Sequence, residues 1–251
     1  ALAWADVSDG EFAAMSVDAN GLEAELAALN PSEILCADED ARLASELAPH
    51  AVITPRARAK FDSGAGERRL KQRFEVQSLD GFGAFSKAEL SALGSLLDYL
   101  ELSQAGAPAR LRPPQSLPSG AAMVIDPAAR MSLEIDRTLQ GSRKGSLIDA
   151  IDRTLTAPGA RLLADRLARP SMSLPEIHDR LDAAQYFLEN RSLREQTRER
   201  LKAAGDPARC LSRLLLGRGG PRDLAQLSRA LYHGGGEPWA NKALIETRRV
   251  L

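Results

Sequence analysis

Alternating apolar and polar positions fill the first sixty residues and predict strands. Leu2, Trp4 and Val7 mark one run and residues 12–17 another, with Asp9-Gly10 between them. An Asp-Gly pair suits a turn that needs positive φ, so the two runs predict a hairpin. Residues 23–29 predict a short helix stopped at Asn30-Pro31, 33–37 a buried strand, 40–47 a second helix, and 51–54 a last strand before Pro55. Strands separated by helices predict an α/β module with some parallel pairing. From Phe61 the period changes. Residues 66–74 read as a charged helix, and 87–104 as an amphipathic one with Leu90, Leu93, Leu97 and Leu100 on one face.

Residues 105–120 carry Gly106, Pro108, Pro113, Pro114, Pro118 and Gly120, and read as a linker able neither to hold a helix nor to complete a ladder. After residue 121 the pattern is helical, over 147–155, 158–167, 175–188, 193–203, 207–216 and 221–231. Ser173 and Asp206 are helix-start residues; Gly217 closes the fifth of these helices and Pro221 opens the sixth. Short connections between amphipathic helices predict an all-α bundle of antiparallel neighbours. Gly234-Gly235-Gly236 reads as flexible, and 234–251 form an unassigned tail.

The run from Ile151 to Leu163 describes a joint between two helices. Thr156 is placed to accept from a free N–H at the second helix start. Pro158 in the first turn loses nothing, since its missing N–H would be unpaired there. Gly159 is expected to let a neighbouring backbone come close, and Leu162, Leu163 and Leu167 to begin a buried stripe. Such a joint builds a scaffold and carries no nucleophile.

Composition narrows the classes. The 251 residues suggest two domains. No run approaches the 18 apolar residues of a membrane span. The start has neither an initiator Met nor the basic region of a signal peptide, so the chain reads as a fragment. Cys36 and Cys210 form no C-x-x-C pair, which suits a reduced, cytoplasmic chain. Charge then divides the molecule: 18 acidic and 9 basic side chains in residues 1–106, a net −9, against 16 and 24 in 107–251, a net +8. That division supports a boundary near 107 and directs any nucleic-acid contact to the second half.

Few residues carry candidate chemistry. His50, His178 and His233 are isolated, without the i, i+4 partner of a metal site. Residues 141–146 have the residue types of a phosphate loop, but Lys144 precedes Gly145 where a P-loop needs it to follow. Arg191, Arg194 and Arg198 crowd one helix and are candidates for weak DNA-phosphate contact. Glu195 and Glu199 interleave with them, placed to pair with Arg198 and Lys202, so a solvated, internally paired face is the favoured reading.

One resemblance spans most of the chain. Met123-Val124-Ile125-Asp126-Pro127-Ala128-Ala129-Arg130 leads into Leu133-Glu134-Ile135, followed by Gly145-Ser146-Leu147, Asp152-Arg153-Thr154 and Gly159-Ala160-Arg161-Leu162-Leu163. Further on stand Arg180-Leu181-Asp182-Ala183 and Gly217-Arg218-Gly219-Gly220-Pro221-Arg222-Asp223-Leu224. In order and spacing these pieces resemble the MutS family of DNA mismatch-repair proteins, most securely over 123–231.

The resemblance implies an α/β, ribonuclease-H-like connector domain at 1–106, a linker at 107–121 and an all-α core, or lever, domain at 122–233, an α+β multidomain chain overall. It implies a connector surface that meets MutL, core helices that carry conformational change between DNA and nucleotide sites, and a full-length homodimer that uses ATP and Mg²⁺. This stretch itself would then be no enzyme and hold no cofactor or metal. The structural joint would comprise Thr156, Pro158, Gly159, Gly217 and Pro221. Neither the family's N-terminal Phe-x-Glu mismatch reader nor its clamp is recognised. Two alternatives come from other classes. One is a metal-dependent nuclease of ribonuclease-H fold, with Asp6 on its first strand and Asp9, Glu11 and Asp18 nearby; the other is a helical scaffold unrelated to DNA.

Overall fold

The computed structural model describes residues 1–103, 111–118, 120 and 122–235, the last four as backbone only. The remainder of the expected linker, and the tail beyond 235, lie outside the described residues. Two compact units emerge, Ala1–Gly120 with Val124–Ala129, and Ala121–Met123 with Arg130–Leu251.

In the first unit, β1 (Leu2–Asp6) and β2 (Glu11–Met15) pair antiparallel with Asp6 opposite Glu11. The Asp-Gly turn forms as its chemistry requires: Gly10 sits at φ 84°, and Asp9 Oδ1 accepts from the Glu11 N–H at 2.9 Å. After α1 (Leu22–Leu29), β3 (Glu33–Ala37), a 3₁₀ turn (Asp38–Asp40) and α2 (Ala41–Leu47) comes β4 (Val52–Arg56), which runs parallel to β3. Two sequence expectations change here. β3 is a partly exposed strand of a two-stranded sheet, with only Ala37 buried. β4 runs on through Pro55, because a strand with a free edge can spare the missing N–H.

A second 3₁₀ turn (Arg58–Phe61) leads to α3 (Ser63–Phe74), capped by Asp62, whose carboxylate accepts from the Ala65 N–H at 2.6 Å. α4 (Lys87–Ser103) follows with the predicted leucine face inward. Phe12, Ala14, Leu70, Leu93 and Leu97 form the buried core, flanked by Phe74, Phe82 and Leu90. The two helices meet at glycines. A Cβ on Gly66 would lie 2.2 Å from the Leu90 carbonyl oxygen, and one on Gly94 2.3 Å from the Gly66 Cα. Both obstacles are backbone.

The Pro-rich stretch overturns its linker reading in part. Residues 115–117 form β5 (Gln115–Leu117), parallel to β2, and Leu111 and Pro114 are buried in the same unit. The ladder closes because Pro114 and Pro118 flank the three paired residues, so no paired N–H is lost.

The second unit, which takes in the last residues of α5 (Pro127–Ser132), is helical: α6 (Leu147–Ile151), α7 (Ala157–Ala168), α8 (Leu174–Glu189), α9 (Arg191–Ala204), α10 (Pro207–Leu215) and α11 (Pro221–Gly235). α5 escaped the periodicity reading although Asp126 caps it, accepting from the Ala129 N–H at 2.9 Å. α6 ends at Ile151, four residues early, because Asp152 turns back to accept from both the N–H and the hydroxyl of Thr154. The glycine run expected to be flexible begins inside α11, which continues through Gly234 to Gly235. α7 buries no residue fully, and Leu162 is exposed, so the expected buried stripe is absent.

The glycine contact yields a direct expectation. Gly94→Ala should lower the unfolding free energy by about 1–3 kcal/mol, as overpacking does. Gly81→Ala, with open space around it, should stay within about 0.5 kcal/mol. Urea melts of the two variants measure the difference.

Candidate functional site

Helix α4 gathers the polar chemistry of the first unit. At its start, Ser86 and Glu89 form a reciprocal capping box: the Glu89 carboxylate accepts from the Ser86 N–H at 2.8 Å, and the Ser86 hydroxyl accepts from the Glu89 N–H at 3.2 Å. Glu89 is 3% exposed, and Ser16, just past β2, and Ser116 of β5 each donate to it at 3.3 Å. Toward the other end, Asp98 receives Arg56 of β4 at 2.7 Å, Arg69 of α3 at 2.7 Å and Lys60 of the 3₁₀ turn at 3.2 Å. Burial pushes the Asp98 carboxyl up, but Lys60, Arg69 and Arg56 together hold it below the usual carboxylate range. Beside it the Arg56 guanidinium lies 5.6 Å from the Tyr99 ring centre, and the Tyr99 hydroxyl donates to Glu33 of β3 at 2.6 Å. One helix thus holds both small sheets and α3.

The carboxylates expected for a nuclease are occupied locally. Asp6 accepts from the Ser8 N–H at 2.7 Å, Glu11 from the Trp4 indole at 2.8 Å, and Asp18 from the Gly21 N–H at 2.7 Å. Asp9 serves the turn and lies 3.6 Å from Arg112. Among the described residues no group of three or more His, Cys, Asp or Glu could hold a metal ion. In the phosphate-loop look-alike, Gly141 N–H donates to the Thr138 carbonyl and Gly145 N–H to the Asp149 carboxylate, at 2.8 and 2.9 Å. Those amides already face protein acceptors.

The joint takes the predicted cap. Thr156 Oγ1 accepts from the Gly159 N–H at 3.1 Å, with Pro158 in the first turn of α7. The reading of Gly159 is corrected: an added Cβ would meet the side chains of Thr156, at 3.1 Å, and Thr154, and no neighbouring backbone. Gly217 sits at φ 67° after α10, where its N–H reaches Leu214 and the Arg218 N–H reaches Arg213, the two bonds of a Schellman end; Pro221 then opens α11. Missed from sequence was Arg161 of α7, which bonds the α10 cap Asp206 at 3.0 Å. Pairing between distant helices leaves no local signal.

The three candidate phosphate-contact arginines are all engaged within the protein. Arg191 pairs with Glu195 at 2.8 Å, and each holds the other's charged form, raising the Arg191 pKa and lowering that of Glu195. Arg194 donates to the Phe187 and Leu188 carbonyls at the end of α8, and Arg198 to the Arg153 carbonyl in the joint at 3.1 Å. Glu195 therefore pairs one turn earlier than expected, while Glu199 takes Lys202 as predicted. The Phe-x-Glu triplet Phe187-Leu188-Glu189 falls at the end of α8, in the helical unit. None of the described helices is long and apolar enough to cross a membrane.

Comparison with known proteins parallels this two-unit division. Residues 1–112 match the family model for MutS domain II, and residues 128–246 that for MutS domain III. Over 229 residues the chain is 48% identical to the DNA mismatch repair protein MutS of Rhodopseudomonas palustris (strain HaA2), covering 90% of this chain and 25% of that protein. The protein of the same name in Caulobacter vibrioides is 48% identical over 238 residues, 93% of this chain and 26% of the relative. That of Ruegeria pomeroyi is 46% identical over 251 residues, 98% and 28%. The chain spans about a quarter of the length of these curated relatives.

Acid should weaken the α4 cluster in a defined direction. A depressed folded pKa for Asp98 means that its stabilisation is full above the unfolded value, about 3.9, and is lost as pH falls through the folded value. Asp98→Asn should therefore cost on the order of 3 kcal/mol at pH 7 and progressively less below pH 4. Chemical melts at several pH values read the convergence of variant and parent.

Proposed function

The chain belongs to the MutS family of DNA mismatch-repair proteins, and on that premise we propose that it is the relay segment of such a protein. The first unit is the connector, of ribonuclease-H-like fold, whose surface meets MutL. Support comes from its mixed sheet, an antiparallel hairpin extended by a parallel strand and backed by α3 and α4. The second unit is part of the core that transmits conformational change between DNA and nucleotide sites. ATP and Mg²⁺ act elsewhere in the full-length, cytoplasmic homodimer, and this stretch performs no catalysis of its own.

The observation that carries the reading is the match of two successive domain models to the two successive compact units. Relay work needs stiff bodies and defined joints. The first unit supplies stiffness through α4, which is bonded at both ends and in backbone contact at its middle. The second supplies a joint at 152–156, where the Asp152 turn ends α6 and the Thr156 cap starts α7. A nuclease reading gains nothing from carboxylates that serve turns and an indole.

Two measurements on the 251-residue chain test the proposal. Immobilised chain should bind purified MutL in interferometry, and calorimetry with Mg²⁺-ATP should show no saturable heat. Absence of MutL binding would remove the connector role, and saturable ATP binding would contradict the assignment of nucleotide chemistry to other parts of the protein.

A further inference from the structure

Two cations left uncommitted in the second unit, Arg222 and Arg229, are not the expected ones. Between α9 and α11 lies an open groove of about 500 Å³, lined by Lys202 on one helix and by Arg222, Gln226 and Arg229 on the other. Arg222 and Arg229 are exposed and form no hydrogen bond or ion pair with any described residue, in contrast to Arg191, Arg194 and Arg198. They stand seven residues apart, about 10 Å along one face of α11. Among the described residues no carboxylate lines the groove. Glu199 bonds Lys202 at 2.6 Å, and Asp223, next to Arg222 in sequence, faces Arg213 at 3.5 Å, so neither carboxylate pairs with the two guanidiniums.

Small residues and an amide complete the groove lining. Ala225 and Gly205 supply small surfaces, and Gly205 is held at φ 63°, a conformation that costs glycine little. A Cβ at Gly205 would lie 1.9 Å from Gln226 Nε2, so the glycine is what admits the amide. On its far side Gln226 Oε1 accepts from the buried Cys210 thiol at 3.3 Å. That bond orients the amide, turning its Nε2–H donors toward Gly205 and the groove. Two guanidiniums without an ion pair, the Glu199-paired ammonium of Lys202 and an oriented amide line a groove that no described carboxylate lines. Planar guanidinium forks match phosphate oxygens in geometry as well as in charge.

We infer that the α9–α11 groove binds the sugar–phosphate backbone of DNA through Arg222 and Arg229, with Lys202 and Gln226 in support. The choice of DNA over an acidic peptide rests on the mismatch-repair reading above and on the +8 net charge of residues 107–251. We take the contact as independent of base sequence, because the donors line a groove between two helices rather than project from a single helix. It holds the core helices against the duplex without reading the mismatch.

Fluorescence anisotropy with a labelled, perfectly paired duplex tests this on the whole chain across a range of salt. The parent should bind with a dissociation constant of about 10⁻⁴–10⁻⁶ M, weakening steeply with salt. The Arg222→Ala/Arg229→Ala double variant should lose affinity and flatten the log–log salt slope by about two, one for each phosphate released. An Arg191→Ala control should leave the slope unchanged, and matching thermal melts would show that the exposed substitutions keep the fold. An unchanged slope in the double variant, or an equal loss in the control, would overturn the inference. So would displacement of the duplex by poly-glutamate at equal charge, which would mark an acidic-peptide site. No binding by the parent would also sink it, yet leave the family reading standing, since that rests on the sequence match.

Discussion

The backbone contact between Gly66 and Gly94 is the constraint on which the first unit depends. Any side chain at either position would strike main chain, so α3 and α4 approach as closely as they do only because both residues lack a Cβ. That approach sets Leu70 and Phe74 of α3 beside Leu90, Leu93 and Leu97 of α4, and the pair closes over Phe12 and Ala14 of the hairpin. Helices held at ordinary separation by larger residues would leave a gap above the sheet, and cavities in a core are costly.

Polar bonding then turns α4 from a packed helix into a shared strut. Glu89 gathers Ser16 and Ser116 at the end of β2 and along β5, and Asp98 gathers cations from β4, the 3₁₀ turn and α3. Neither carboxylate is a free charge in a dry interior; one is satisfied by hydroxyls and a backbone N–H, the other by three cations. The helical unit is organised differently. Few of its apolar residues are fully buried, and its helices are joined by caps and single bonds such as Arg161–Asp206 and Arg198 to the Arg153 carbonyl. Such links define joints more than cores.

What the sequence disclosed follows from the range of each signal. The Asp9-Gly10 hairpin, the leucine face of α4, the Thr156, Ser173 and Asp206 caps and the Gly217 helix end are written within a turn or two of chain, and all appear. The strand at 115–117 was hidden because three residues between prolines carry no period, and only β2 as a partner makes them a strand. The end of α6 is not legible in the helical period because the Asp152 side chain competes with the helix for its own backbone. The close contact expected of Gly159 is made by Gly66 and Gly94, since spacing alone does not tell which glycine faces another helix. Among the arginines, proximity in sequence drew attention to Arg191, Arg194 and Arg198. Arg222 and Arg229, two cations without such a bond, come into view only when the acids and carbonyls around each cation are known.

The claim that α4 unites the first unit is most directly tested by native-state hydrogen exchange under increasing denaturant. If one strut holds the sheets and α3, amides of α3, α4, β1 and β2 share a single opening free energy, and their isotherms merge into one global unfolding event. Exchange of α3 through a lower-energy opening of its own, with α4 and the hairpin still protected, would contradict the account.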